Sequence, residues 1–315
     1  MESPVFLLMA GFVILGLAGE ALLRGAVTLA NHLRVSPLII GLTIIAFGTS
    51  APELTVSLNA VLEGKPDISI GNVVGSNIAN ILLVLGTMAV VRPFFVNRGT
   101  LGRDGGVMLF VSGLLLVLGL VGMIDRPVGI ALLAILIAFT VYLYSSARDA
   151  EDAEEAQAGV DENLVRGGTS IALMVLLAGI AGVIWGADLM VDGAVGLARQ
   201  WGVSEAVIAL SLVAIGTSLP ELAVSLVAAI RGHAGLAVGN IIGSNISNIT
   251  LILGATAVVV PLPISDMMAT RDIPIMIGVA CLGFFFMATG RAMSRFEGAL
   301  GLLLYVAYLG FIFAA

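Results

Sequence analysis

The sequence predicts an all-α polytopic membrane protein, with ten transmembrane helices arranged as two inverted-topology five-helix repeats. Three observations support this fold class. First, 59% of the residues are hydrophobic and only 11% are charged, whereas soluble proteins carry about 25% charged residues. Second, ten mainly apolar segments approach the length of about 20 residues that a bilayer requires. Third, polar sequence blocks of the first half return in the second half.

The ten apolar segments divide evenly between the halves of the chain. Pro127 opens the fifth segment, where its missing N–H costs nothing. Five helices are an odd number, so the second repeat enters the membrane from the opposite side, as in many ion-coupled transporters. We therefore expect a first repeat at 1–147, a linker at 148–167 and a second repeat at 168–315. The expected spans are 5–30, 37–62, 68–91, 105–124, 127–147, 169–198, 205–230, 236–260, 273–290 and 296–314.

The basic residues predict the orientation in the membrane. Nine basic residues lie in the loops after odd-numbered spans, and four lie in the loops after even-numbered spans. The nine are Arg34, Arg92, Arg98, Arg103, Arg148, Arg166, Arg231, Arg291 and Arg295. The four are Lys65, Arg126, Arg199 and Arg271. Because basic loops remain in the cytoplasm, we expect an inner-membrane protein with both termini extracytoplasmic and the linker cytoplasmic. The N-terminus lacks the basic region of a cleavable signal peptide, so the first span should be retained.

The net charge of −7 is concentrated in the linker, whose acids are Asp149, Glu151, Asp152, Glu154, Glu155, Asp161 and Glu162. A solvated hinge between the repeats explains this composition. A regulatory cation-binding segment is the alternative, although the spacing of an EF-hand loop is missing. The chain has no basic patch interleaved with aromatic residues, so nucleic acid is not an expected partner. Cys281 is the only cysteine, which excludes an internal disulfide bond.

Two sequence blocks recur at one offset of 168 residues. Residues 46–54, AFGTSAPEL, return at 214–222 as AIGTSLPEL, and residues 71–80, GNVVGSNIAN, return at 239–248 as GNIIGSNISN. Each copy places a carboxylate, hydroxyls and a proline inside apolar sequence. Membranes tolerate such residues where they face a cavity or an ion. The duplicated polar blocks are therefore the predicted functional centre.

The first block predicts a carboxylate face on a broken helix. Thr49 and Ser50 lie four and three residues before Glu53, so the three side chains share one face. Pro52 lacks an N–H and crowds the carbonyl four residues back. We expect it to free backbone oxygens near 46–48 from the helix, and a cation would satisfy them. The second copy repeats the arrangement with Ala214, Thr217, Ser218, Pro220 and Glu221.

The second block adds amides and hydroxyls at helical spacing, with Asn72, Ser76 and Asn80 in one copy and Asn240, Ser244 and Asn248 in the other. The glycine pairs 71/75 and 239/243 allow close helix approach. We expect them to bring the amide face of the third span onto the carboxylate face of the second. Calcium prefers such all-oxygen ligands and takes about 6–8 of them. A zinc or copper site is not expected, because His32 and His233 lie near helix ends.

Other polar residues have simpler interpretations. Asn72, Asn77, Asn240 and Asn245 could be interhelical hydrogen-bonding residues rather than ion ligands. Glu20 has Arg24 four residues on, which predicts an intrahelical ion pair. The repeat counterpart of Glu20 is Asp188, which is followed by Asp192 instead of a base. Structural or vestibule roles fit these acids, and ion handling is the alternative.

The blocks resemble the paired alpha-repeats of the sodium/calcium exchanger family, and the chain is similar to its prokaryotic members. The ungapped offset runs roughly from 5–90 onto 173–258, and the double occurrence of G-T-S-x-P-E and G-N-x-x-G-S-N is highly specific. Some members carry Asp where this chain has Asn248, so symmetric asparagines lower the expectation of potassium co-transport. The resemblance implies that the ion ligands are Ala46 (through its carbonyl), Thr49, Ser50, Glu53, Ser76 and Asn80, with Ala214 (through its carbonyl), Thr217, Ser218, Glu221, Ser244 and Asn248.

The resemblance also implies a function. The expected activity is exchange of about three sodium ions for one calcium ion, by alternating access and sliding of the first and sixth helices, with one net charge moved per cycle at about 2.3 kcal/mol per 100 mV. We expect no enzymatic activity and no cofactor, with calcium and sodium as substrates in a monomer embedded in the lipid bilayer. Three alternatives stay open: a proton/cation antiporter with titrating glutamates, a cation channel, and an intramembrane enzyme using Ser50 or Ser76 with Glu53.

Overall fold

A computed structural model describes residues 3–96, 99, 101–146, 164–202, 216–289 and 292–314. Within these ranges the chain is mostly α-helical, and eight helices are long and apolar enough to cross a membrane. A bent helix pair provides a ninth candidate span. The prediction of a helical, multi-span membrane protein is therefore confirmed. The acidic linker falls largely on residues 147–163, outside the described part.

The first half contains five helical spans. They are α1 (Pro4–Leu33), α2 (Pro37–Thr49 followed by Ala51–Leu62), α3 (Pro66–Val91), α4 (Leu101–Val121) and α5 (Arg126–Ser146). The second half contains α6 (Thr169–Gln200), α7 (Leu219–Arg231), α8 (Ala234–Val259), α9 (Met268–Ala288) and α10 (Arg295–Ala314). The expected span 205–230 is described only from residue 216 onward. Most predicted boundaries hold within a few residues, but α4 and α9 begin four and five residues early with one π-helical turn each.

Irregular helical turns divide the helices that carry the repeated blocks. The two segments of α2 meet at 42°, just before Pro52. In α3 and α8, wide π-helical turns occupy Asn80–Leu85 and Asn248–Leu253, again 168 residues apart. Such turns are frequent at functional sites because they re-aim side chains. The sequence predicted the break in α2 but not the π-helical turns.

Helices α1 and α6 pack against each other in antiparallel directions over their whole length. A Cβ atom on Gly25 would lie 2.5 Å from the backbone nitrogen of Leu176, and one on Gly193 would lie 2.5 Å from the backbone nitrogen of Leu8. These two contacts are equivalent, because the 168-residue offset relates Gly25 to Gly193 and Leu8 to Leu176. Glycine allows the two backbones to approach this closely.

The glycines of α8 also mediate close packing, but against a different helix from the one expected. A Cβ on Gly239 would lie 2.5 Å from the Leu38 carbonyl, and one on Gly243 would lie 2.5 Å from the Leu42 carbonyl. The glycine face of α8 thus packs on the first segment of α2, from the opposite half, while its amide face contacts α7 of its own half. The expected contact of amide and carboxylate faces forms, but the expectation that these glycines mediate it was wrong, because it considered each half alone. For Gly75, no described residue lies within 4 Å of an added Cβ.

Two short antiparallel strand pairs connect the halves at the helix ends. Strand β1 (Phe94–Phe95) pairs with β4 (Ala292–Met293), and β2 (Met123–Ile124) pairs with β3 (Leu262–Pro263). Each pair takes one strand from each half. Helices α3 and α8 are the most buried of the candidate spans, with 78% and 83% of their apolar stretches inside the protein. The polar blocks therefore lie at the centre of the helix bundle.

Candidate cation site

The two repeated glutamates are buried and lie close together. Glu53 and Glu221 are each 1% exposed, in the first turns of the helices that follow the breaks. Ser50, three residues before Glu53, donates a 3.4 Å hydrogen bond to Glu221 Oε1. Ser244 donates to the same oxygen at 3.4 Å. The side chain of Thr217 hydrogen bonds to Glu53, and the two carboxylates are near enough to repel each other.

Hydroxyl groups of each half contact the polar residues of the other half. Thr49 Oγ1 donates to Asn240 Oδ1 of the other half at 3.3 Å and lies near the Glu221 carboxylate, as Thr217 lies near that of Glu53. Ser50 Oγ also lies 3.5 Å from Ser247 Oγ. Each carboxylate therefore receives hydroxyl groups from the opposite half, so neither half forms the site alone. The sequence predicted the residues on each face but could not show this exchange of partners.

The two asparagines at the π-helical turns make a second exchange between the halves. Asn80 Nδ2 donates to Asn245 Oδ1 at 3.0 Å, and Asn248 Nδ2 donates to Asn77 Oδ1 at 2.9 Å. All four side chains are buried. Asn77 and Asn245 are thus interhelical hydrogen-bonding residues, which is one of the two interpretations left open by the sequence.

Several buried acceptor oxygens in this region have no hydrogen-bond donor among the described residues. Those on the carboxylates and on the asparagines at the π-helical turns are Glu53 Oε2, Glu221 Oε2, Asn80 Oδ1 and Asn248 Oδ1. The Ser218 hydroxyl is also without a partner among these residues. A buried acceptor without a donor costs about 1–3 kcal/mol, and more when charged. Two carboxylate and two amide oxygens, contributed equally by both halves, are the type of donor that hard cations prefer.

Asn72 and Asn240 support the carboxylate helices. Asn72 Nδ2 donates to the Glu53 backbone oxygen at 3.1 Å and to Ser57 Oγ at 3.0 Å. Asn240 Nδ2 donates to Ser225 Oγ at 3.1 Å. These hydrogen bonds fix α3 to α2 and α8 to α7. Both residues are therefore hydrogen-bonding residues between helices.

The backbone oxygen of Ala46 departs from the expectation. It accepts the Ser50 N–H at 3.1 Å and lies 3.5 Å from the Thr49 hydroxyl, so it is not freed from the helix. The reason is positional, because Pro52 removes only the hydrogen bond to the carbonyl four residues before it. The Ala46 oxygen keeps a second lone pair. Its counterpart Ala214 lies outside the described residues.

A cavity of about 390 Å³ reaches the site from one side. Among the described residues, its lining includes Asn72, Ser76 and Thr217 from the polar blocks. Arg271 and Asp272 of α9 and Tyr305 and Tyr308 of α10 complete its polar lining. Ser76 and Thr217 are therefore predicted ligands that lie between the buried oxygens and this cavity.

A second polar group lies at the other end of the bundle. The predicted pair of Glu20 with Arg24 is confirmed, with an N–O distance of 2.8 Å. Arg231, at the end of α7, adds a second bond to Glu20 at 2.9 Å. The counterparts Asp188 and Asp192 are exposed on α6. The sequence did not predict the contribution of Arg231, which depends on the packing of α1 against α7.

Two further duplicated features were not predicted. The Arg103–Asp104 pair returns as Arg271–Asp272, and each arginine bonds its neighbouring aspartate, at 2.7 Å and 2.8 Å. The buried methionines Met108 and Met276 repeat in the same way and contact the asparagines of the site. The sequence contains the information needed to predict both features, because the 168-residue offset continues past residue 90 and also relates residues 103, 104 and 108 to 271, 272 and 276.

The fold and the site define a class of protein, namely a multi-span membrane protein with a buried, oxygen-lined candidate cation site at the contact of two repeated halves. Comparison with known proteins identifies the family. The profile of the sodium/calcium exchanger protein family matches residues 3–145 and 171–314. The chain belongs to this family, which confirms the resemblance seen in the sequence. It is accordingly a cation/calcium exchanger, a transporter rather than an enzyme.

Individual relatives match over nearly the whole chain. The sodium/calcium exchanger MaX1 of Methanosarcina acetivorans is 32% identical, over 98% of this chain and 97% of the relative. The inner membrane protein YrbG of Escherichia coli is 38% identical, over 88% of this chain and 86% of the relative. A solved structure of the sodium-calcium exchanger NCX_Mj, soaked with sodium and calcium, superposes with a TM-score of 0.83 at 32% identity, covering 98% and 97% of the two chains.

Proposed function

We propose that this protein is a secondary antiporter that exchanges sodium for calcium by alternating access. The observation that carries the proposal is the set of four buried oxygens without donors among the described residues, two from Glu53 and Glu221 and two from Asn80 and Asn248. A cation between them would satisfy all four at once. The names of the family and of the relative MaX1 support sodium and calcium as the exchanged ions.

The proposed ligands are the residues expected from the sequence. The two glutamates carry the charge, the asparagine and hydroxyl oxygens complete the coordination, and the Ala46 and Ala214 carbonyls add to it. With both glutamates ionised the site has a charge of −2, which one calcium ion would neutralise. Three sodium ions would leave +1, so one charge would move per cycle, at about 2.3 kcal/mol per 100 mV. The full proposed set is Ala46, Thr49, Ser50, Glu53, Ser76, Asn80, Ala214, Thr217, Ser218, Glu221, Ser244 and Asn248.

The proposed architecture is ten transmembrane helices in two inverted five-helix repeats, 1–147 and 168–315, with the linker between them. The antiparallel contact of α1 with α6 supports inversion, because the helices are repeat counterparts that run in opposite directions. The distribution of basic residues supports extracytoplasmic termini in the inner membrane. We propose that a monomer suffices, since both halves of the site come from one chain.

The test is isotopic calcium uptake into proteoliposomes with sodium, potassium and proton gradients imposed one at a time. We expect uptake to follow an outward sodium gradient and to generate a membrane potential. Uptake driven by a pH gradient in sodium-free buffer would replace this proposal with a proton/calcium antiporter. Calcium currents far above carrier rates would replace it with a channel.

A further inference from the structure

Asn245 and Asn77, which accept hydrogen bonds from Asn80 and Asn248, themselves donate to residues that are not proposed ligands. Asn77 Nδ2 donates to the Asn245 backbone oxygen at 3.3 Å and to Met276 Sδ at 3.6 Å. Asn245 Nδ2 donates to Met108 Sδ at 3.6 Å. Met108 and Met276 are 0% and 1% exposed, on α4 and α9. Because the methionines are repeat counterparts, the same sulfur contact is made twice.

The acceptors that contact the amide nitrogens, the methionine sulfurs among them, determine which way these asparagine amides point. An amide donates from its nitrogen and accepts at its oxygen, whereas a thioether sulfur can only accept. The nitrogen of Asn77 is therefore held toward Met276, and its oxygen is left to accept from Asn248 at 2.9 Å. Asn248 in turn must point its nitrogen at Asn77, which leaves its own oxygen without a donor among the described residues. The orientation of the proposed ligand oxygen thus follows from the two acceptors that hold the Asn77 nitrogen, the Met276 sulfur and the Asn245 backbone oxygen.

We propose that Met276 and Met108 are positioning residues that fix the amides of Asn77 and Asn245, and thereby select an amide over a carboxylate at Asn248 and Asn80. A carboxylate at position 248 has no N–H and would set its lone pairs against the Asn77 oxygen. Rotating the Asn77 amide would only move the conflict, because its oxygen would then face the Asn245 carbonyl and the methionine sulfur. The arrangement of Asn77, Asn80, Asn245 and Asn248 therefore keeps the charge of the site equal to that of its two glutamates.

This inference rests on the proposed function, because it concerns the specificity of the same ion site. It extends that proposal to side chains that do not touch the ion. Specificity follows from charge, since a third carboxylate would change the electrostatic energy of every bound cation. The methionines would then contribute to cation specificity without being ligands.

The first experiment removes the sulfur while keeping the side-chain volume. Met276→Leu is compared with Met287→Leu, an equally buried methionine on the same helix, at 1% exposure. We expect Met276→Leu to raise the Kd and KM for calcium by about 5-fold at unchanged maximal rate, the size of one net hydrogen bond. Met287→Leu should stay within about 2-fold, as volume-conserving replacements do. Equal behaviour of the two variants would overturn the inference.

The second experiment tests the selection of the amide. Asn248→Asp should weaken calcium binding to the purified protein about 10-fold or more, because a buried charge then faces an acceptor. Met276→Gln can donate to the oxygen of a rotated Asn77 and removes one of the two acceptors that oppose the rotation, so the double variant should recover part of that loss. The same loss in both backgrounds would contradict the inference. Isotopic calcium binding in detergent separates the two proposals, because a wild-type protein that binds no calcium rejects the function first.

Discussion

The two halves of the molecule carry the same residue types at every paired ligand position that we propose, whereas the helix ends beside them carry different charges. At one end, Glu20 bonds Arg24 and Arg231, and these three residues are named the paired end. The counterparts at the other end are Asp188, Asp192 and Glu63, named the acidic end. Among the described residues, Glu63 forms an ion pair with its sequence neighbour Lys65, at 2.8 Å, and this contact lowers the pKa of Glu63.

The exposure of equivalent site residues also differs between the two ends. Asn240 and Thr49 are fully buried, and their counterparts Asn72 and Thr217 are partly exposed and line the 390 Å³ cavity. We propose that identical ligands permit the site to bind equally well in two mirrored conformations, and that the ends determine which conformation is preferred. Among the described residues, the paired end carries an ion pair between α1 and α7, whereas the acidic end carries none between the equivalent helices α6 and α2.

The strongest test of the symmetric site is to remove each carboxylate charge in turn. Glu53→Gln and Glu221→Gln should each reduce sodium-driven calcium uptake roughly 100-fold or more, because losing one partner of a buried charge interaction costs about 2–5 kcal/mol. Calcium uptake into proteoliposomes is the measurement, and Glu63→Gln is the control. Unequal losses from the two variants would show that the halves do not contribute alike.

The second test places the same substitution at equivalent positions of the two halves. Gly239→Ala puts a Cβ 2.5 Å from the Leu38 carbonyl, whereas Gly71→Ala meets, among the described residues, only the flexible end of Met268 at 3.3 Å. We expect Gly239→Ala to lower the free energy of unfolding by about 1–3 kcal/mol. Gly71→Ala should leave it unchanged or raise it by about 0.5–1 kcal/mol.

Thermal unfolding in detergent measures this difference, and transport adds a second readout. If the halves exchange roles during alternating access, residue 71 must later pack as closely as residue 239 does here. Gly71→Ala should therefore fold normally but lower the maximal transport rate. Normal transport by this variant would argue against an exchange of roles between the halves.

The offset of 168 residues made most of the site predictable from the sequence. It identified Glu53, Glu221, Asn80 and Asn248 without any structure, because polar residues inside apolar helices are costly and are repeated only where they serve an ion or a cavity. The crossed partners, such as Ser50 with Glu221, could not be predicted, since they depend on how the halves pack. The Ala46 carbonyl was misjudged because the effect of Pro52 was extended beyond the one carbonyl that it affects.

The third test removes the ion pair at the paired end. Glu20→Gln or Arg231→Gln should shift the conformational equilibrium by up to about 5-fold, because partly exposed ion pairs contribute about 0.2–1 kcal/mol. Hydrogen exchange should rise in 234–243, at the start of α8, and stay constant in 66–75, at the start of α3. Glu63→Gln is the matched control from the acidic end and should change neither region. Increased exchange in both regions would indicate general destabilisation instead of opening at one end.

The smallest expected effect comes from creating the missing ion pair at the acidic end. Glu63→Arg places a base at the position equivalent to Arg231, where Asp188 already occupies the position equivalent to Glu20. We expect it to slow hydrogen exchange in 66–75 and to weaken calcium uptake from that side by about 2-fold, since exposed charges are screened at physiological salt. Asp188→Asn in the Glu63→Arg background should cancel both changes, because the new arginine then loses its main partner. Changes that persist in this double variant would mean that the charge at position 63 acts on calcium directly, and that the asymmetry of the ends attracts ions more than it selects a conformation.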